Sequence, residues 1–232
     1  MKPSRRALLR TALGAIARRA PADSPSSERL REVAEAPVLK VEGIDRPVTI
    51  ASMDLLRNGR EYLVRARSKD GAEGWSATNS MHMVHLHPIF LNRVAPFFRG
   101  KDARELEPML WELYRHDDNY KYQGLALWVC VAAAEFAVLD LLGKASGRSV
   151  ADLLGGLKRR EVAVYRASGT RGNTPEEEVA DLKRIVAESG AKALKFRLGG
   201  RMSRNADSLP GRTERLIPMV REAFGPGMTL YA

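Results

Sequence analysis

From residue 161 the sequence alternates in a way that few folds satisfy. "EVAVYRAS" reads as a strand and is followed by Thr174-Pro175-Glu176-Glu177, a helix start with a hydroxyl cap, a proline at the first helical position and a carboxylate that can reach back. That helix runs to about Glu188 and stops at Gly190, and "AKALKFRLGG" is a second strand. A polar loop, Gly199 to Arg212, leads to the helix "TERLIPMVREAFG" and then to "MTLYA", a third strand. Strand-helix-strand-helix-strand is the pattern of a parallel α/β sheet. The segment after the first strand, "SGTRGNTP", has neither dinucleotide nor P-loop glycine spacing. The longest loop follows the C-terminal end of a strand, where (β/α) barrels build their sites.

The region before it has a different logic. In "RPVTIASMDLLRNGREYLVRARSKDGAEGWSAT", Asn58-Gly59 and Asp70-Gly71 are hairpin turns, because both residues tolerate positive φ. They predict a three-stranded antiparallel meander with Tyr62, Val64 and Ala66 on a buried face and Leu63, Arg65 and Arg67 on a wet one. Asp102-Ala103-Arg104-Glu105 predicts a capping-box start for a helix through Tyr114. Gly124 to Gly143 is almost wholly apolar and predicts a central helix. Ser149 to Asp152 caps a short helix closed by Gly155-Gly156.

Candidate chemistry in this region is weaker than it looks. His82, His85 and His87 in "HMVHLH" match no metal-ligand spacing, and Pro88 is expected to interrupt any helix there. Glu135 and Asp140, inside the apolar helix, are read as pairing with a basic group or capping backbone rather than as catalytic. Cys130 is the single cysteine, so no internal disulfide exists, and it reads as a small buried hydrophobe. No apolar run is expected to be long enough to cross a bilayer.

The chain carries a net charge of +10, but residues 1–40 hold nine Lys/Arg against four Asp/Glu, so half the excess lies there. The rest shows no basic element with nucleic-acid motif context, so no nucleic-acid partner is expected. "SRRALLRTALGAIARRAPAD" resembles a twin-arginine (Tat) export signal at Ser4-Arg5-Arg6, with Ala20-Pro21-Ala22 as a small-x-small cleavage site. The expected localisation is periplasmic or exported, the alternative cytoplasmic. Residues 21–36 read as a linker.

Meander, helical bundle and barrel in this order resemble the enolase superfamily, and more specifically the mandelate racemase/muconate lactonizing enzyme family. The residues that carry the resemblance are "AAAEFAVLDLLGKASGRSVADLLGG", "EVAVYRASG" and "GAKALKFRLGG", the last at the family's Lys-x-Lys strand. The resemblance implies an α+β capping domain followed by an incomplete (β/α) TIM-type barrel. Its divisions are residues 1–36 for signal and linker, 37–158 for the capping domain and 159–232 for the start of the barrel.

The family abstracts a proton α to a carboxylate, with Mg2+ stabilising the enediolate. Lys195 and Arg197 occupy the Lys-x-Lys positions. Lys195 is expected to neutralise a substrate carboxylate. Arg197 is a departure, since a guanidinium stays protonated near neutral pH and clamps rather than accepts a proton. Asn79, Tyr122 (in the stretch from Tyr120) and Arg201 are expected to face substrate, with Arg204, Asn205, Asp207 and Arg212 lining the same polar loop.

In the family the third barrel strand ends in Asp-x-Asn, whose aspartate is the first magnesium ligand, so the ligands are expected beyond Ala232 and no metal-ligating residue is named within the chain. The chain is thereby expected to be an N-terminal fragment, inactive by itself, of an acid-sugar dehydratase or racemase. The expected partner is a small-molecule carboxylate, with no membrane and with homo-oligomers when complete. The alternatives are a non-catalytic truncated gene product and a basic binding module.

Overall fold

The computed structural model describes residues 26–117 and 122–232. The twin-arginine segment and Tyr120 lie outside the described residues. Two compact units divide between Leu157 and Lys158.

In the first unit, helix α1 (Ser27–Glu35) precedes the meander β1 (Ile50–Asn58), β2 (Glu61–Ser68) and β3 (Glu73–Ala77). The expected linker is thus corrected over α1. Ser26 caps it by accepting from the Arg29 N–H, its residues are good helix formers, and none of them is buried. The sheet is antiparallel in order β1-β2-β3, with Val64 opposite Leu55 and Ser76. Tyr62, Val64 and Ala66 are buried and Leu63 and Arg67 are exposed, as strand alternation requires.

Helix α2 (Ser80–Ile89) contains Pro88 and runs into a π-turn, Phe90–Val94, and α3 (Ala95–Phe98). The expected break at Pro88 therefore does not occur. Proline leaves the Val84 carbonyl without its i+4 donor, and the His87 ring Nδ1 lies 3.2 Å from that oxygen. The wider turn that follows absorbs the crowding.

Asp102 does not make the expected capping box. It starts a 3-10 turn (Ala103–Glu105) by accepting from the Arg104 and Val48 N–H groups, and α4 (Leu106–Arg115) follows. Helix α5 (Leu125–Ser146) runs one turn beyond Gly143 and ends at Gly147, whose φ of 68° is left-handed. Helix α6 (Val150–Leu153) has the Ser149–Asp152 capping box.

Helix α5 is the centre of this core, and β3 lies against it. Asp140 accepts from the Trp75 N–H and from Lys144, both at 2.7 Å, and Ser76 donates to the Ala133 carbonyl at 2.6 Å. The expectation that no run could span a bilayer is corrected by length and composition, since α5 meets both. Its buried residues nonetheless form the middle of a packed core, and Glu135, Asp140 and Lys144 lie along it.

In the second unit, β4 (Arg166–Ala167), α7 (Pro175–Ser189), β5 (Ala193–Lys195), α8 (Arg212–Phe224) and β6 (Thr229–Tyr231) form a parallel sheet in order β4-β5-β6 with helices between the strands. Sequential parallel strands joined by helices are the (β/α) barrel pattern. Thr174 and Glu177 make the capping box of α7. Leu182, Leu194, Phe196, Leu216 and Val220 are the core between sheet and helices. Strand β4 is far shorter than "EVAVYRAS": Val162 and Val164 are exposed, because only Arg166 and Ala167 find a paired neighbour. Strand β5 likewise covers only Ala193–Lys195 of its expected span.

Candidate functional site

The second unit collects cations at the C-terminal side of its strands. Lys195 ends β5, half-buried, with Nζ 5.7 Å from the centre of the Tyr165 ring. Phe196 turns the other way into the core, so Lys195 and Arg197 share the face opposite to it. Arg171, on the loop after β4, donates from Nη1 to the Gly199 carbonyl at 3.0 Å. Partial burial, then the like charges of Arg197 and Arg201, push the Arg171 guanidinium below its ordinary value. Among the described residues, none of Lys195, Arg171, Arg197 and Arg201 has an acidic partner. Ser168, at the end of β4, donates its N–H to the Lys195 carbonyl at 2.9 Å, and its buried hydroxyl has no partner among the described residues.

The backbone beneath these groups is held by Arg212. It is 1% exposed and belongs to the first turn of α8. Its Nε donates to the Asn173 carbonyl and its Nη2 to Asn173 Oδ1, both at 2.8 Å. Its Nη1 donates to the carbonyls of Arg197 and Leu198. Glu178, fully buried on α7, lies 3.8 Å from Nη2 and accepts from Asn173 Nδ2 at 2.6 Å. One planar fork therefore ties the loop after β4 to the end of β5. Arg212, expected to line the polar loop, is thus corrected to an internal clamp. Asp207 is likewise occupied. The Thr213 hydroxyl and then its N–H hold the carboxyl below the usual range, at the start of α8.

The expected substrate-facing residues of the first unit have other occupations. Asn79 Oδ1 accepts from the His82 N–H and caps α2, and Asn79 also lines a cavity of about 330 Å³ with Thr78, Leu125, Trp128 and Phe136. Tyr122 is exposed and packs under the Arg93 guanidinium, 5.4 Å from its ring centre. Lys195, Arg197 and Arg201 belong to the second unit and are brought together there; Asn79 and Tyr122 belong to the first. Arg201 is exposed on its loop. Arg171 was missed by the sequence reading. Its signal, a basic residue in the turn after the first parallel strand, is visible only once that turn is known to fold back onto Gly199.

No group of three or more His, Cys, Asp or Glu able to hold a metal occurs among the described residues. The side chains gathered here are cations, which attract anions and repel metal ions.

A meander backed by a long apolar helix, followed by sequential parallel strands with cations at their C-terminal ends, defines an enzyme-type α+β cap with barrel strands. Residues 34–155 match the family model described as "Mandelate racemase / muconate lactonizing enzyme, N-terminal domain", more than half of the chain. The chain belongs to that family.

A D-galactarolactone cycloisomerase from Agrobacterium fabrum is 28% identical over 190 residues, 81% of this chain and 47% of the relative. A D-galactonate dehydratase from Pectobacterium atrosepticum is 26% identical over 171 residues, 72% of this chain and 42% of the relative. A solved structure from Roseobacter denitrificans superposes with a TM-score of 0.70 at 31% identity, covering 78% of this chain and 49% of that one. A mandelate racemase/muconate lactonizing protein from Paracoccus denitrificans, solved in complex with magnesium, superposes at 0.67 with 24% identity, over 78% and 50% of the two chains, and shows the fold. The chain spans about half the length of the relatives it matches.

Proposed function

We propose that the chain is the N-terminal part of an acid-sugar enzyme, a dehydratase or a racemase, that removes the proton α to a carboxylate. The carrying observation is Lys195. It ends a parallel strand, has no acidic partner among the described residues and stands among other cations so placed, in a chain of this family. An ammonium there neutralises a substrate carboxylate and lowers the cost of charge developing on it as the α-proton leaves. Arg197, permanently protonated, binds rather than accepts a proton, so the base belongs to another element. Arg201, exposed on the loop after β5, is proposed to contact substrate.

The complete protein is proposed to use Mg2+, with ligands outside this chain, as membership of this family implies. Relatives named as acting on galactarolactone and galactonate support the acid-sugar class. Export through the twin-arginine route and a homo-oligomeric assembly complete the reading, with no nucleic acid or membrane as partner.

The test is turnover. The open reading frame containing these codons, expressed with whatever follows them, is assayed with Mg2+ against a panel of aldonates and aldarates. A keto-deoxy acid or an epimer is expected. A folded product that turns over none of them refutes the reading and favours a non-catalytic gene product. The 232-residue chain by itself is expected to give no product. Product from it alone overturns the assignment of base and metal ligands to other segments.

A further inference from the structure

Three guanidinium groups, those of Arg171, Arg197 and Arg201, come from two separate loops and strand ends and have no carboxylate among the described residues to answer them. Three acids of the same unit are committed: Glu178 lies against Arg212, Asp207 accepts from Thr213, and Glu176 pairs with Arg215. The backbone bearing the cluster is fixed as well. Gly199 accepts from Arg171, and the carbonyls of Arg197 and Leu198 accept from the buried Arg212. Holding like charges together on a fixed backbone is unfavourable unless an anion joins them.

On the proposed reading, one carboxylate of the substrate is met by Lys195. A single carboxylate then leaves the arginines without an anion from within this unit. We infer that the site takes a dianionic acid, with Arg171 and Arg197 recognising a second anionic group, a terminal carboxylate or phosphate, at the far end of the substrate, and Arg201 at its rim. The guanidinium fork suits both groups, since each offers two oxygens to parallel N–H donors. The inference rests on the acid-sugar reading for the identity of the ligand and on the cluster alone for its charge.

The chain of 232 residues carries the whole cluster, so the experiment needs no other segment. Arginine side-chain NMR resonances are followed while a six-carbon aldarate, the matching aldonate and its 6-phosphate are titrated separately at constant ionic strength. At least one dianion is expected to bind about tenfold or more tighter than the aldonate, the scale of one added charge-assisted contact. Whichever dianion wins identifies the second group.

Arg171→Gln is expected to remove that preference while leaving the aldonate unchanged, and Arg171→Lys to restore part of it. Equal affinities for all three acids, or a preference that survives Arg171→Gln, overturns the inference. The variants' circular dichroism and unfolding midpoints are measured alongside. Should Arg171→Gln fail to fold, Arg197→Gln is expected to lower the ratio of dianion to aldonate affinity, and an unchanged ratio overturns the inference. A dianion preference without turnover by the gene's full product sinks the acid-sugar reading and leaves this one standing. Turnover of aldonates and aldarates alike does the reverse.

Discussion

Gly74 is the position where one methyl group does the most damage. It lies buried in β3, opposite Ala66 of β2, with its other side against α5. A Cβ added there would stand 2.1 Å from the Ala137 carbonyl oxygen, 2.2 Å from the Leu141 nitrogen and 2.7 Å from Leu141 Cα. All three are backbone atoms of the central helix, so no rotamer change relieves the clash and strand and helix must separate by more than 1 Å, roughly the shortfall from ordinary contact. Overpacking of this kind costs about 1–3 kcal/mol. Separation also weakens the flanking bonds from the Trp75 N–H to Asp140 and from the Ser76 hydroxyl to the Ala133 carbonyl. At about 1 kcal/mol each, these bring the total for Gly74→Ala to about 3–5 kcal/mol.

The assay is urea unfolding followed by tryptophan fluorescence. Trp75, Trp111 and Trp128 are the only tryptophans and all lie in the first unit, so the signal reports that unit alone. The expected midpoint loss corresponds to about 10–25 °C in melting temperature for a unit of this size. A variant within about 0.5 kcal/mol of the parent refutes the close packing of β3 on α5.

Other outcomes follow from the same geometry. Glu135 has its carboxyl pushed above its ordinary 4.5 by burial, so its ionisation opposes folding: the stability it lends is complete below that value and is lost as pH rises through the raised one. Glu135→Gln therefore raises the urea midpoint at pH 7, and the gain shrinks as pH falls toward 4; an equal gain at both pH values contradicts this. Cys130 has its thiol pushed up to about 11 by burial, so it resists a disulfide reagent at pH 8 until urea unfolds the first unit, and the stability that its protonated form lends is lost as pH rises from 9.0. Rapid labelling of native chain contradicts it. Arg212→Met leaves Glu178 buried without its cation and costs about 3–5 kcal/mol in the second unit, read by hydrogen exchange at Leu194 and Leu216. Thr174→Ala removes the α7 cap and costs about 1 kcal/mol, by the same readout.

Features set by local chemistry were legible in the sequence. The Asn58-Gly59 and Asp70-Gly71 turns, the Thr174 and Ser149 capping boxes and the alternation of Tyr62, Val64 and Ala66 each depend on residues within a few positions of one another. What escaped was set at a distance. Arg212 looks like one more charge in a polar loop until Asn173 and Glu178 close around it from the start of α7. Asp102 looks like a capping-box residue, but its carboxylate is shared between the Arg104 N–H and guanidinium and a long-range partner, the Val48 N–H. Pro88 looks like a helix breaker because the wider turn at Phe90–Val94 leaves no local signature. Of the site, Lys195, Arg197 and Arg201 could be found from strand alternation and the resemblance. Arg171 could not, since its bond to Gly199 spans 28 positions.

The central claim is that Lys195 serves removal of a proton α to a carboxylate. The direct measurement is hydrogen–deuterium exchange at that carbon, followed by NMR in D2O with an acid sugar, Mg2+ and the product of the gene's full reading frame. The account predicts exchange or product formation that Lys195→Met abolishes while circular dichroism is unchanged. Exchange undiminished in Lys195→Met, or none with any acid sugar from a folded protein, contradicts it.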